Sequence, residues 1–346
     1  MKRFLASTVL RALAHAPGVR KQTGSPRLLV IRRNRMGDMI MALPLIRALK
    51  TAHPGAWITV LCDPEGAPIA RACPEISEVV LLRKGGNRWV SLWINRPSLT
   101  GYDMVFGVKA GFDFYLAALC RLSGAPVRVG FEEKTGASPF FTHPVALPPR
   151  EEHQARSCLR LAGILGIEGD ETRMGIAVPP AIAQNAALAL GPLTDGGRRP
   201  LCVVSISTNQ EDRWPAPAFV QIVRQLVGEA GRSVGISSAP ADRALARSLV
   251  HQVGSPWAQA LETPTTLELA GCLGRAEFVL CFEGGVVHLA AACGTPALVL
   301  WRTQAPVEKW GSLGRNHHYL RAGRVSEIPV AEVWAALQRF VRTKNA

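Results

Sequence analysis

The sequence predicts an α/β chain with two doubly wound, largely parallel sheets. Three observations carry this. Short runs rich in Val, Ile, Leu and Phe alternate with longer helical stretches, the rhythm of a parallel sheet covered on both faces. The rhythm occurs twice, with a Pro-, Gly- and Ala-rich zone between the two series. The chain has 346 residues, about twice a common single-domain length.

In the first series "RLLVIRR" reads as a strand and "GDMIMALPLIRALKTAHPG" as one helix ending near Pro54-Gly55. "AWITVLCD", "ISEVVLLR" and "YDMVFGV" read as strands, "FDFYLAALCRLSGA" as a helix and "VRVGF" as a strand. "HQARSCLRLAGILGI" is a further helix, and "ETRMGIAVPPAIAQNAALALGPLTDGGRRP" holds the interdomain junction. In the second series "LCVVSIS", "RSVGISS", "EFVLCF" and "PALVLW" are strands. "APAFVQIVRQLVGEAG", "PADRALARSLVHQVG", "TLELAGCLGRA", "GVVHLAAACG" and the terminal "IPVAEVWAALQRFVRTK" are helices. The expected division is an extension at 1–26, a first domain at 27–175, a linker region at 176–199, a second domain at 200–328 and a terminal helix at 329–346. In such sheets ligands sit at the carboxyl ends of strands.

A hydrophobic content of 48% with 19% charged residues describes an ordered globular chain. No uninterrupted apolar run reaches the ~18 residues of a membrane span. The net charge of +14 suits phosphates, in nucleotides, nucleic acids or anionic membrane surfaces. No zinc-finger spacing or aromatic RNA-binding motif is evident and aromatics are 6%, so no nucleic-acid partner is expected. The eight cysteines form no C-x-x-C pair and read as reduced core thiols of a cytosolic protein, with no metal site. "MKRFLASTVLRALAHAPG" mimics a signal peptide, but Arg11 splits its apolar region. Its spacing fits either a short amphipathic helix at a membrane surface or a loosely docked extension.

Four places could carry chemistry. Gly37 permits a tight turn and Asp38 stands in a first helical turn, where it either caps the helix or faces a ligand. In "CFEGGVVHLAAACGTP", Glu283, Gly284 and Gly285 lead into a helix with His288 in its first turn. Two glycines and a helix N-terminus suit phosphate, and Glu283 can accept from sugar hydroxyls; the alternative is a plain strand–helix turn. In "SISTNQEDRWPAPAF", Ser207, Thr208 and Arg213 either contact phosphate or form an ordinary polar loop. Lys109 follows a strand end and reads as solvated unless a ligand site lies there.

Together these motifs resemble glycosyltransferase family 9, the ADP-heptose:lipopolysaccharide heptosyltransferases and their relatives. "LLVIRRNRMGDMIMALPLIRALK" is similar to that family's first strand, loop and helix. "VVSIST…RWPAPAFVQIVRQL" is similar to the opening of its second domain, and "EGGVVHLAAACGTPALVLW…EKWG" to its D-T-G-x-x-H-L-A-A-x-x-G-x-P stretch. "HQARSCLRLAGILGI" matches its interdomain helix, and the resemblance runs from about Arg27 to the C-terminus. It implies a GT-B fold, two Rossmann-like domains facing a central cleft, and inverting transfer of a sugar from a nucleotide-sugar donor, ADP-heptose. The acceptor it implies is a lipid-linked saccharide at the cytoplasmic face of the inner membrane, with peripheral contact to that anionic surface. Asp38 would be the general base, and Arg32, Arg35, Gly37 and Lys109 would lie at the acceptor. Ser207, Thr208, Arg213, Glu283, Gly284, Gly285 and His288 would hold the donor. No cofactor or metal is expected, so activity should survive EDTA.

The sequence also departs from the family pattern. Asp212 stands where a Lys is usual, Glu283-Gly284-Gly285 replaces Asp-Thr-Gly, and Arg302-Thr303 replaces Gly-Pro. An anion at 212 would repel a diphosphate, so either Arg213 takes over or the donor contacts differ. Two other readings stay open: a sugar-nucleotide epimerase or hydrolase of the same fold, and a non-catalytic nucleotide-sugar binder. Asp38 is the only strong acid candidate legible in the first domain, which disfavours the epimerase.

Overall fold

The computed structural model describes residues 24–133, 136, 138–207, 212–314 and 316–342. Residues 1–23 of the expected extension at 1–26, and Thr208, lie outside them. The chain divides into two compact units, with the boundary between Met174 and Gly175.

The first unit holds strands β1 (Arg27–Arg32), β2 (Trp57–Cys62), β3 (Glu78–Leu81), β4 (Met104–Gly107), β5 (Val127–Glu132) and β6 (His143–Ala146). All pair in parallel, in the order β3-β2-β1-β4-β5-β6. The second unit holds β7 (Leu201–Ser205), β8 (Ser233–Ser237), β9 (Ala258–Ala260), β10 (Phe278–Phe282), β11 (Ala297–Arg302) and β12 (His317–Ala322), in the order β12-β11-β10-β7-β8-β9. Central strands such as β7 and β10 are buried along their whole length, because helices cover both faces of a parallel sheet. In each sheet the order reverses once: between β1 and β4, and between β7 and β10. The carboxyl ends at these two reversals are where a doubly wound sheet opens to a ligand.

Several local features differ from the expectation. The helix expected after β1 is two, Met36–Ile40 and Leu43–Ala52. Pro44 has no N–H for the carbonyl of Ile40 and its ring would strike it, so the chain breaks and restarts with Pro44 in the first turn. The region 176–199 is not merely a linker. It forms the helix Pro180–Leu190, which packs on the helix Thr266–Leu273 within the second unit. Strand β6 was missed because Pro144 argues against a strand; it stands at the sheet edge, where a lost ladder donor is tolerated. Strands β9 and β12 and the short helices Ala67–Arg71 and Arg88–Asn95 were also missed, their runs being too short or too polar to stand out.

In the second unit Trp214 is buried and meets Phe219 edge to face, and Phe219 meets Phe282 likewise, with ring centroids 5.4 and 5.8 Å apart. Trp214 Nε1 donates to the Ile328 carbonyl at 2.9 Å, so the loop after β7 is anchored to the segment that follows β12. The terminal helix Val330–Arg342 packs on the helix Ala216–Gly228 through Val333 and Leu337, which belong to the same core. All eight cysteines are free; seven are buried, and burial pushes the thiols of Cys120 and Cys281 up to about 12. No helix among the described residues is long and apolar enough to cross a membrane.

Candidate active site

At the β1/β4 reversal the chain leaves β1 at Arg32 and turns through Arg33, Asn34 and Arg35 into the helix Met36–Ile40. Asn34 has φ +85°, a left-handed conformation that Asn tolerates better than most residues. Its N–H donates to Asp63 Oδ2 at 2.9 Å, tying the turn to the end of β2. Arg32, expected near acceptor phosphates, is buried and turned inward. Its Nε donates to the Asp38 carbonyl at 2.8 Å, Nη1 to the Val108 carbonyl at 2.9 Å and Nη2 to Asp38 Oδ1 at 2.6 Å. The guanidinium fork thus joins the ends of β1 and β4 and fixes one carboxylate oxygen of Asp38. Asp38 Oδ2 lies 3.4 Å from the Arg35 N–H, so the carboxylate also caps its own helix. Capping does not withdraw it from the surface: the same side chain lines an open pocket.

That pocket, ≈ 410 Å³, is bounded by Arg33, Asn34, Arg35, Asp38, Asp63, Glu65 and Lys84. Asp38 is therefore not the only acid: Asp63 and Glu65 stand with it. Asp63 is buried and engaged by the Asn34 N–H and by Lys84 Nζ at 3.3 Å. Its position directly after β2, and that of Lys84 just after β3, were the signals in the sequence, since carboxyl ends of parallel strands line ligand sites. The single-acid argument against an epimerase consequently loses its force.

Lys109 is half-exposed and does not stand alone: its Nζ donates to Asp113 Oδ2 at 2.8 Å. Asp113 also caps the helix Phe114–Leu122 through the Leu116 N–H. Burial alone would raise the Asp113 pKa, but the Lys109 hydrogen bond, the Leu116 N–H and the charges of Lys109 and Arg33 bring it below its ordinary value. Arg33 stacks 4.7 Å over the Tyr115 ring.

At the β7/β10 reversal, Gly284 has φ +153° and ψ −161°, a conformation open to glycine and costly for other residues. It starts the helix Gly285–Cys293, and a Cβ built on it would meet nothing within 4 Å. The first N–H groups of that helix have no partner within it and face the carboxyl edge of the sheet. His288 is buried in the first turn. Ser207 Oγ accepts from the Ala239 N–H and links the ends of β7 and β8.

The charged residues that depart from the family pattern all have partners within the second unit. Asp212 is buried and accepts from the turn that follows β12: the Val325 N–H at 3.1 Å, the Ser326 N–H at 3.2 Å and Ser326 Oγ at 3.4 Å. These internal hydrogen bonds satisfy the carboxylate, and its charge is also felt by Arg302, whose pKa it helps to raise. Arg213, one proposed substitute, is held by Asp242 at 2.6 Å. Glu283 and Arg302, which end neighbouring strands, pair with each other at 3.2 and 3.4 Å. The Glu283 hydrogen bond and charge raise Arg302 above its ordinary pKa, and Arg302 remains 41% exposed. Two of the departures are thus one ion pair. Among the described residues no group of three His, Cys, Asp or Glu could hold a metal ion.

A family model, glycosyltransferase family 9 (heptosyltransferase), matches residues 99–332. The lipopolysaccharide heptosyltransferase 3 of Escherichia coli is 24% identical across 88% of this chain and 96% of its own. Among solved structures, the glycosyl transferase family 9 protein of Veillonella parvula superposes with a TM-score of 0.79 at 19% identity, covering 91% of this chain and 97% of that one. The E. coli ADP-heptose lipopolysaccharide heptosyltransferase II gives 0.75 at 19% identity, covering 92% of this chain and 100% of its own. With its two parallel six-stranded sheets of GT-B type and a model match over most of its length, this chain belongs to glycosyltransferase family 9 and is a glycosyltransferase.

Proposed function

We propose that this enzyme transfers a heptose, or a closely related sugar, from an ADP-sugar to a saccharide carried on a lipid, with inversion at the anomeric carbon. The observation that carries the reading is the carboxylate of Asp38, held by a buried guanidinium at the mouth of a polar pocket. An acceptor hydroxyl attacks the sugar's anomeric carbon, Asp38 takes its proton, and the bond to the diphosphate breaks. The departing ADP needs positive groups and oriented dipoles. The N–H groups at the start of helix Gly285–Cys293 and the Arg302 guanidinium supply them, with Glu283 orienting Arg302. Arg302 takes the place of the family's Lys, since Arg213 is committed to Asp242. The names of the relatives, heptosyltransferases of lipopolysaccharide, support the sugar and acceptor classes. The setting is the cytoplasmic face of the inner membrane, with peripheral contact. No metal is needed, and activity persists in EDTA.

The test is thermal unfolding with ADP-heptose, ADP, and UDP- and GDP-sugars in parallel, followed by acceptor-dependent nucleotide release. A ligand at a hundred times its Kd adds ~2.7 kcal/mol, readily seen in a melt. Stabilisation by ADP-heptose and ADP release that requires a saccharide acceptor is the expected result. Stabilisation by another sugar nucleotide removes the heptosyl assignment. Turnover without acceptor would favour an epimerase or hydrolase, and binding without turnover on any acceptor a non-catalytic role.

A further inference from the structure

The helix Arg88–Asn95 is amphipathic in an unusual sense. Ser91, Leu92 and Asn95 face inward, while Trp89, Val90 and Trp93 face outward, 49%, 44% and 50% exposed. Nine large hydrophobic side chains are exposed among the described residues, and this one short helix holds three of them. Such clustering marks a contact surface, where scattered exposure would not.

The surroundings specify the partner. No Asp or Glu occurs between Glu78 and Asp103, whereas Arg83, Lys84, Arg88 and Arg96 all lie in that span. The Arg96 guanidinium sits 5.4 Å over the Trp93 ring, so cation and aromatic share one face. A two-fold interface between copies would set this patch against itself and oppose like charges. Indole rings with an apolar body and an N–H, ringed by arginines, instead fit the headgroup layer of an anionic bilayer.

The face is also tied to the pocket. Asn95 bonds both the N–H and the carbonyl of Arg83, at 2.9 and 2.8 Å, and Ser91 Oγ accepts from the Gly85 N–H at 2.8 Å. Between those two anchors Lys84 reaches Asp63 in the pocket that contains Asp38.

We infer that the helix Arg88–Asn95 is a membrane-docking element: Trp89, Val90 and Trp93 enter the headgroup–acyl boundary of an anionic bilayer, with Arg88 and Arg96 against its phosphates. Docked there, the enzyme holds the Asp38 pocket beside a lipid-borne acceptor. That purpose rests on the proposed transferase reading, but the docking is measured without donor or acceptor, so either can fail while the other stands.

The experiment is flotation of the full chain with vesicles of phosphatidylglycerol and phosphatidylcholine, and of phosphatidylcholine alone. The variants are Trp89→Ser, Trp93→Ser, the double change, and Trp57→Ser. Trp57 is equally exposed but begins β2, at the opposite edge of the sheet from the pocket. The expected result is preference for the anionic vesicles, lost by about tenfold or more in the double variant, partly in each single one, and not in Trp57→Ser. Equal melting temperatures show that the variants fold. The inference is overturned if the unaltered chain ignores anionic vesicles, or if the double variant binds them within about twofold of it. It is also overturned if the double change abolishes self-association in sedimentation and leaves vesicle binding intact, which would make the face an interface between copies.

Discussion

The carboxyl edges of the two sheets use opposite arrangements of charge. In the first unit an acid, Asp38, lines the pocket and its cation, Arg32, is buried behind it. In the second unit a cation, Arg302, reaches the edge paired with Glu283, while the acid Asp212 is buried against a backbone turn. On the proposed reading, one edge accepts a proton and the other meets a departing anion. The comparison teaches that a residue's charge says little about a site until its hydrogen-bond partners are known. Arg32, expected at the acceptor, is held by Asp38 and the Val108 carbonyl; Asp212, expected to oppose the donor, accepts from the turn Val325–Glu327.

The largest expected effect breaks the first edge. Asp38→Asn should lower turnover by about 10²- to 10⁴-fold while the donor still raises the melting temperature; retention of a sizeable fraction of the activity would assign the base elsewhere. Next, Arg32→Met should cost about 3 kcal/mol in urea unfolding, because it orphans two carbonyls and frees the Asp38 carboxylate to turn. An unchanged unfolding midpoint would show that Arg32 is not the clamp.

The second edge is tested by a contrasting pair. Asp212→Ala should cost about 2 kcal/mol of stability through the uncapped turn Val325–Glu327 and leave donor affinity nearly unchanged. Arg302→Gln should do the reverse: about tenfold weaker donor binding by titration calorimetry, with stability within about 0.5 kcal/mol. If the two variants swap phenotypes, Asp212 and not Arg302 faces the donor.

The smallest effect concerns pH. Burial lowers the His317 pKa below its ordinary value, partly offset by its bond to the Thr295 carbonyl. A buried neutral histidine is protonated more readily in the unfolded chain, so its stabilising contribution is present above the ordinary histidine pKa and falls away below it. His317→Asn should therefore flatten the loss of melting temperature between about pH 7 and pH 5. An unaltered slope would place the acid sensitivity in other groups.

Much of the scaffold was legible. The two βαβ series, the Asp in the first turn after β1 and the paired glycines before the helix Gly285–Cys293 are local patterns, written in adjacent residues. What escaped reading was local in only one sense. Pro144 hid an edge strand because proline excludes only the paired side of a ladder. Pro44 split a helix whose apolar spacing ran on unbroken. Asp63 and Lys84 escaped because their strands end far apart in sequence and meet only when β1, β2 and β3 lie side by side.

The sequence by itself determined the succession of strands and helices, the two sheets and the placing of a carboxylate and a glycine turn at strand ends. Hydrophobic periodicity and turn chemistry are near-neighbour properties, and a single chain displays them in full. The tertiary structure alone decided which charges are tied up in internal hydrogen bonds. Arg32 finds the Val108 carbonyl 76 residues away, and Asp212 finds the Val325 N–H 113 residues away. A buried charge must take whatever hydrogen-bond partners the fold brings to it, and no local pattern can say in advance which those will be.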